Sequence, residues 1–325
     1  MKENDSEKAF NHPSLNSENA VIQWLLSGDV SIQYQVYRDL LDIERLDLQQ
    51  RIKQEGWGKL LLSKKGDNGH WGQKFYQPKW TSTHYTLLDL KNLAIEPRLT
   101  PIQETLELVF REEKGPDGGI RPIGSTLKSD VCINGMFLNY ACYFKVEERK
   151  LNSVVDFLLS QHMKDGGFNC HSNRKGCVHS SLHTTISVLE GILEYARNGY
   201  THRLNELQYA AAASREFILI HRLYKSDKTG AIIDPKMTML SYPGRWRYDI
   251  LRALDYFQSA GIAWDERMSD AVDLLLKKQT MEGTWPLQAK HPGQTHVDME
   301  KVGKPSRWNT LRALRVLKNL VPPLT

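Results

Sequence analysis

Long apolar runs are missing from this chain. Across 325 residues, no stretch approaches the length that a membrane-spanning helix needs, which is about 18 consecutive apolar residues. Cysteine is scarce, with four in all, too few for a secreted disulfide scaffold of this length. A surplus of one charge is also missing. The 43 Lys and Arg are interspersed with 38 Asp and Glu for a net +5, and no face of clustered bases marks a nucleic-acid footprint. The opening residues, MKENDSEKAFNHPSLNSE, lack the apolar segment of a secretory signal. The expectation is a cytoplasmic protein with reduced thiols, no transmembrane segment and no nucleic-acid partner. Residues 1–18 are expected to form a flexible tail.

What is present is helical periodicity, in pairs. Six segments (20–28, 56–65, 102–113, 151–163, 207–224 and 265–279) repeat apolar residues at three- and four-residue spacing, with charges on the other side. A more apolar segment with polar groups near its start follows each of them, at 31–41, 83–94, 130–144, 182–196, 247–260 and 309–320. Between the two kinds recurs a glycine turn: DNGHWG (67–72), DGGIRP (117–122), DGGFNC (165–170), TGAIID (229–234) and EGTWPL (282–287). Copies stand roughly 50 residues apart, a spacing that signals repeat architecture. Links from first-kind to second-kind helices are long and most return links are short. All long loops and all second-kind N-termini therefore belong at one end of the molecule. Six hairpins, each more apolar on its second helix, predict an all-α (α/α)6 toroid. Its two concentric rings form one domain over 19–325, with a cavity on the axis.

The densest chemistry lies between Lys128 and Thr185. All four cysteines fall there, at Cys132, Cys142, Cys170 and Cys177, together with His162, His171, His179 and His183. Thiols and imidazoles are the ligands of borderline and soft metals. The alternative reading is that free cysteines serve as small buried hydrophobes. Cys142, ten residues into a helical segment, reads that way. His84, at a loop-to-helix junction, and Asp249, at a helix start, are the proton-transfer candidates, each with a structural role as the alternative. Trp80, Tyr85, Trp246, Arg247 and Arg307 stand in long loops or at inner-helix starts and are the substrate-binding candidates. Helix N-termini gathered at that rim suit an anionic or amphiphilic ligand. Trp71 and Trp285, inside glycine turns, read as packing.

Gln279 to Trp285, QTMEGTW, fits a Gln-x3-Gly-x-Trp pattern. Lys65 to Trp71, KGDNGHW, fits it with Lys for Gln, and Gln161 to Phe168 fits it with one extra residue and Phe for Trp. On these motifs the chain resembles the terpenoid cyclase and protein prenyltransferase toroid superfamily over roughly residues 20–320. The likeness extends to squalene cyclases and to the prenyltransferase and squalene oxidase repeat. The Asp-x-Asp-Asp acid of class II cyclases is absent from the chain. Prenyltransferase β-subunits hold zinc through Asp-x-Cys and a His at successive inner-helix starts. The matching positions here are Asp130, Cys132 and His183, with Cys170 and His179 as alternates. The basic and tyrosine residues that surround that motif in the family are not in register.

The resemblance implies an enzyme with an axial cavity at the inner-helix N-termini, using zinc-assisted activation of a nucleophile such as a thiol or water. Its ligand would be a small molecule, an isoprenoid or a peptide. Two alternatives stay open: a metal-free carbohydrate-active toroid working by acid/base chemistry, and a non-catalytic toroid that binds lipid or peptide. The oligomeric state is not indicated.

Overall fold

The computed structural model describes residues 15–123, 128–171 and 176–321. Most of the expected tail lies outside them. The helices are α1 (Ala20–Leu26), α2 (Val30–Asp39), α3 (Leu46–Arg51), α4 (Gly56–Leu62), α5 (Thr83–Asn92), α6 (Thr100–Glu113) and α7 (Val131–Tyr143). They continue with α8 (Glu148–Ser160), α9 (Leu182–Arg197), α10 (Leu204–Ile220), α11 (Ile250–Ser259), α12 (Ser269–Lys277) and α13 (Arg307–Asn319). Among the described residues the only sheet is a two-residue antiparallel pair, β1 (Trp285–Pro286) with β2 (Pro305–Ser306). The protein is an all-α toroid.

The inner ring is α2, α5, α7, α9, α11 and α13, and each starts within three residues of its expected position. The reason for the ring is visible in α7. Val131 and every residue from Ile133 to Cys142 are buried, so no face is left for solvent. The outer helices are amphipathic. In α6, Ile102, Leu106 and Val109 are buried at helical spacing while Glu104, Glu107, Arg111 and Glu112 face out. α11 starts at Ile250 rather than 247, because Arg247–Asp249 run into the helix as an extended cap. Asp249 has φ −143° and its side chain accepts from the Arg252 amide. The sequence reading had no place for α3, nor for the 3-10 turn Lys79–Thr81.

The glycine turns share one construction. Gly69, Gly166 and Gly283 have φ between +78° and +94°, a region that costs glycine nothing. The aromatic residue that follows tucks its backbone N–H onto a threonine in the next inner helix. Trp71 N donates to Thr83 Oγ1, Phe168 N to Thr185 Oγ1 and Trp285 N to Thr310 Oγ1, each at 3.0 Å. The Trp71 and Trp285 indoles reach back to the preceding outer helix, donating to Leu61 O at 2.7 Å and Leu275 O at 2.8 Å. Both rings are fully buried, so they pin outer helix to inner helix. The same repeated contact ties the first turns of α5, α9 and α13 to their glycine turns, and it brings those starts to one end of the axis.

Candidate functional site

At that end, side chains from several repeats form a continuous aromatic and basic cluster. Trp80, in the turn before α5, packs edge-on against Tyr85 with centroids 4.8 Å apart, and Tyr76 OH meets Tyr85 OH at 3.0 Å. The Lys79 ammonium lies 4.8 Å from the Trp80 ring centroid and 5.4 Å from that of Trp246. Arg247 sits over the same Trp246 ring at 4.8 Å. His183, at the start of α9, packs edge-on against Trp246 with centroids 5.3 Å apart. His291, from the loop after β1, faces Trp80 at 6.3 Å. Each such contact of a cation with an indole is worth about 0.5–2 kcal/mol. Of the residues singled out in the sequence, Trp80, Tyr85, Trp246, Arg247, His183 and His84 come together here. Lys79 and His291 were not foreseen. The alternation of cation and indole in Lys79–Trp80 and Arg245–Trp246–Arg247 was the available signal for the former; His291 carried none.

Several polar atoms in this cluster are buried without a hydrogen-bond partner: Trp246 Nε1, Arg247 Nε, His291 Nε2 and His84 Nε2. A buried unsatisfied donor costs about 1–3 kcal/mol, so such a group marks a place where a ligand or water completes the bonding. His183 is half-buried and its Nδ1 accepts the Tyr248 amide at 2.8 Å, which leaves its proton on Nε2. Burial, with Arg252 and Arg247 nearby, lowers its pKa to about 4, so it is neutral and a donor. Burial and the same arginine neighbourhood lower His291 to about 4 as well. His84 lies behind the cluster, fully buried among Phe75, Tyr85 and Tyr140. Its Nδ1 pairs with Tyr140 OH at 3.1 Å, and burial pushes its pKa down to about 3. A group held neutral so far below its ordinary value is a weak base, while its Nε2 remains buried without a partner.

Two other candidates fall elsewhere. Asp249 is consumed as the α11 cap: Oδ1 accepts from Arg252 N at 2.8 Å and Oδ2 from Ser241 Oγ at 2.9 Å. It is buried, and those bonds take both oxygens, so it is not a catalytic carboxylate. Arg307 turns to the outer wall, donating to Trp24 O and Ser27 Oγ and stacking over Trp24 at 4.6 Å. That makes it a tie between the last and first hairpins, not a substrate contact.

The expected zinc ligands do not assemble. Cys132 meets Cys170, whose sulfur accepts the Cys132 amide at 2.9 Å. The Cys170 thiol also pairs with Cys132 and with Thr184, which lowers its pKa and raises that of Cys132. His183 has turned to Tyr248 and Trp246, and His179 is exposed on its loop. Among the described residues no three His, Cys, Asp or Glu side chains group as a metal site.

The open space on the axis lies toward the other end. A cavity of about 680 Å³ is lined by the C-terminal halves of the inner helices, by Arg252 and Trp308 near the starts of α11 and α13, and by residues of the 242–245 segment. Tyr242, stacked on Trp308 at 4.6 Å, and Arg245, paired with Asp89 at 2.6 Å, stand on its wall, and Arg245 also lies 5.6 Å from the Trp80 and Tyr85 rings of the aromatic cluster. Its wall is a mesh of ion pairs. Arg252 forks onto Glu190 at 2.8 and 2.7 Å, Arg315 bridges Asp39 and Asp255 at 2.9 and 3.2 Å, and Arg312 meets Asp255 at 3.1 Å.

No family model matches the sequence, and no curated protein matches it. Solved structures do match by fold. A glycosyl hydrolase family 88 protein from Bacteroides vulgatus superposes with a TM-score of 0.51 at 12% identity, over 92% of this chain and 90% of its own. A polysaccharide lyase matches at TM-score 0.49 and 12% identity, covering 90% of this chain and 88% of that one. The type II terpene cyclase MstE from Scytonema, bound to geranylgeranyl dihydroxybenzoate, matches at TM-score 0.43 and 14% identity, covering 89% of this chain and 87% of its own. At such identity the hydrolase likeness is one of fold, the α/α-toroid, and the site must be argued from its own residues.

Proposed function

We propose that this chain is a toroid enzyme acting on a small, polar, negatively charged molecule, with an acidic saccharide as the favoured class. The ligand would be held at the inner-helix N-terminal end by Lys79, Trp80, His183, Trp246, Arg247 and His291. One observation carries the reading. Trp246 Nε1 and Arg247 Nε are buried donors without partners, beside two indole faces and the Lys79 ammonium. Stacking faces flanked by donors suit a sugar ring, and cations with helix N-termini suit its carboxylate. An isoprenoid asks for an apolar wall in that place, and the acid motif of class II cyclases is missing from the chain. Neutral His183 would serve as a hydrogen-bond donor to the bound molecule.

The test is calorimetric titration of the full chain with galacturonate and glucuronate oligomers, neutral gluco-oligosaccharides and geranylgeranyl diphosphate. The acidic oligomers are expected to bind. Arg247→Gln is expected to weaken them about 10-fold or more, the scale of one lost charge-assisted hydrogen bond. Preference for the prenyl diphosphate, or equal binding of neutral and acidic glycans unaffected by Arg247→Gln, would overturn the assignment.

A further inference from the structure

Among the four thiols, one pair meets, and the described function makes no use of it. Cys132 opens α7, and Cys170 lies in the loop after α8, 38 residues on. The Cys170 sulfur is 2.9 Å from the Cys132 backbone nitrogen, which places it against the residue it would join. The two side chains also hydrogen-bond to each other, so the sulfurs are already neighbours. Neither residue is fully buried, so a small oxidant can reach both. The remaining thiols are spoken for. Cys142 is buried in α7, and Cys177 takes a hydrogen bond from Asn169 Nδ2 at 3.2 Å and gives one to His179 O at 3.4 Å. The Cys170 sulfur sits at the N-terminus of a 13-residue helix, receives an amide N–H there and pairs with Thr184 as well. Those are the surroundings of a reactive cysteine rather than of an inert buried one. Two cysteines packed merely as small hydrophobes would need none of these bonds.

We propose that Cys132 and Cys170 form a peroxide-responsive dithiol that closes reversibly to a disulfide, stapling the start of α7 to the 164–171 loop. The chemistry balances. The Cys170 sulfur attacks the O–O bond of hydrogen peroxide, becomes a sulfenic acid and releases one water. The Cys132 sulfur then displaces that hydroxyl, the S–S bond forms, and the hydroxyl leaves as a second water with the Cys132 thiol proton. Both thiols are oxidised, one peroxide is reduced, and a dithiol reductant reverses the step. The inference does not depend on what the aromatic cluster binds.

The experiment treats the full chain with stoichiometric hydrogen peroxide, alkylates the remaining thiols and maps peptides by mass spectrometry. The expected result is loss of two of the four free thiols, a peptide joining Cys132 to Cys170, and its disappearance on reduction. The Cys132→Ser variant is expected to stop at a sulfenic acid on Cys170 that a dimedone probe captures. Cys142→Ser and Cys177→Ser are expected to cross-link like the wild type. A Cys170–Cys177 cross-link, or four thiols still alkylated in protein whose circular dichroism is native, would overturn the proposal. So would dimedone labelling of Cys170 in the wild type with no cross-link following.

Discussion

His84 shows what one residue's surroundings decide. In sequence it is a histidine at a helix start, next to a long loop, and proton transfer is a fair expectation. In the fold its Nδ1 is taken by Tyr140, 56 residues away, and its ring is enclosed by Phe75, Tyr85 and Tyr140. Nothing local foretells a partner so distant. Burial holds its folded pKa at about 3, against an ordinary value of about 6.5. Between those values the unfolded chain binds a proton that the folded chain refuses. Stability is therefore complete above pH 6.5 and is lost as the pH falls below it. The slope attributable to one such group approaches about 1.4 kcal/mol per pH unit well below pH 6.5. Urea unfolding from pH 7 to pH 4.5 is expected to show the loss. His84→Phe is expected to flatten part of that slope, whatever it does to stability at pH 7. An unchanged slope in the variant would place the acid sensitivity in other groups. Asp249 makes the same point more simply: its place near a helix start was legible, but its role as the cap before Ile250, with bonds to Arg252 N and Ser241 Oγ, was not.

The helices were legible because periodicity is a property of contiguous residues. All six inner helices and their outer partners stand where the pattern of charge and apolar spacing put them. The six-residue α3 escaped because it is less than two turns long and buries only Leu48. What the pattern did not show is how closely two inner helices approach. A Cβ on Gly135 would lie 2.7 Å from Ser187 O and Val188 N of α9, and one on Gly191 would lie 2.5 Å from Gly135 O. Backbone meets backbone there, and neither side has a flexible side chain to yield. Gly135→Ala and Gly191→Ala are each expected to cost about 1–3 kcal/mol by forcing α7 and α9 apart. Because either change separates the same pair, the double variant is expected to cost less than the sum of the two. Denaturant midpoints of the three proteins measure this. Fully additive losses would mean that the two helices do not share one contact.

At the scale of the whole molecule, one helix orientation organises both ends of the axis. The N-termini of α5, α9 and α11 meet at the aromatic cluster, where their partial positive charge reinforces Lys79 and Arg247. Six inner C-termini converge on the cavity, each carrying about half a negative charge. That accounts for the surplus of cations on its wall, where Arg38, Lys91, Arg197, Arg245, Arg252, Arg312 and Arg315 face four carboxylates. The sequence placed the cavity at the N-terminal mouth because the loops there are long. It could not show that Tyr242 and Trp308 stack on the cavity wall, or that Arg245 joins that wall to the aromatic cluster. The cavity also holds the seam that closes the ring. The last inner helix, α13, meets the first, α2, through Arg315, which bridges Asp39 and Asp255 with its side chain only 15% exposed. Lys318 makes a second tie to Asp42, whose side chain is 76% exposed. The two ties should differ in worth. Arg315→Met strips two nearly buried carboxylates of a shared cation and is expected to cost about 2–4 kcal/mol. Arg38 and Arg312 remain to hold one carboxylate each. Lys318→Met loosens a pair whose carboxylate is already in water, together with two bonds to the Asp39 and Leu40 carbonyls, and is expected to cost about 1 kcal/mol, less than Arg315→Met. Hydrogen exchange resolves where the loss falls. In Arg315→Met the amides of α2 and α13 should exchange faster, while those of α7 and α9, on the far side of the ring, keep their protection. Uniform acceleration around all six helices would mean that the toroid opens as one unit, with no weak seam between its first and last hairpins.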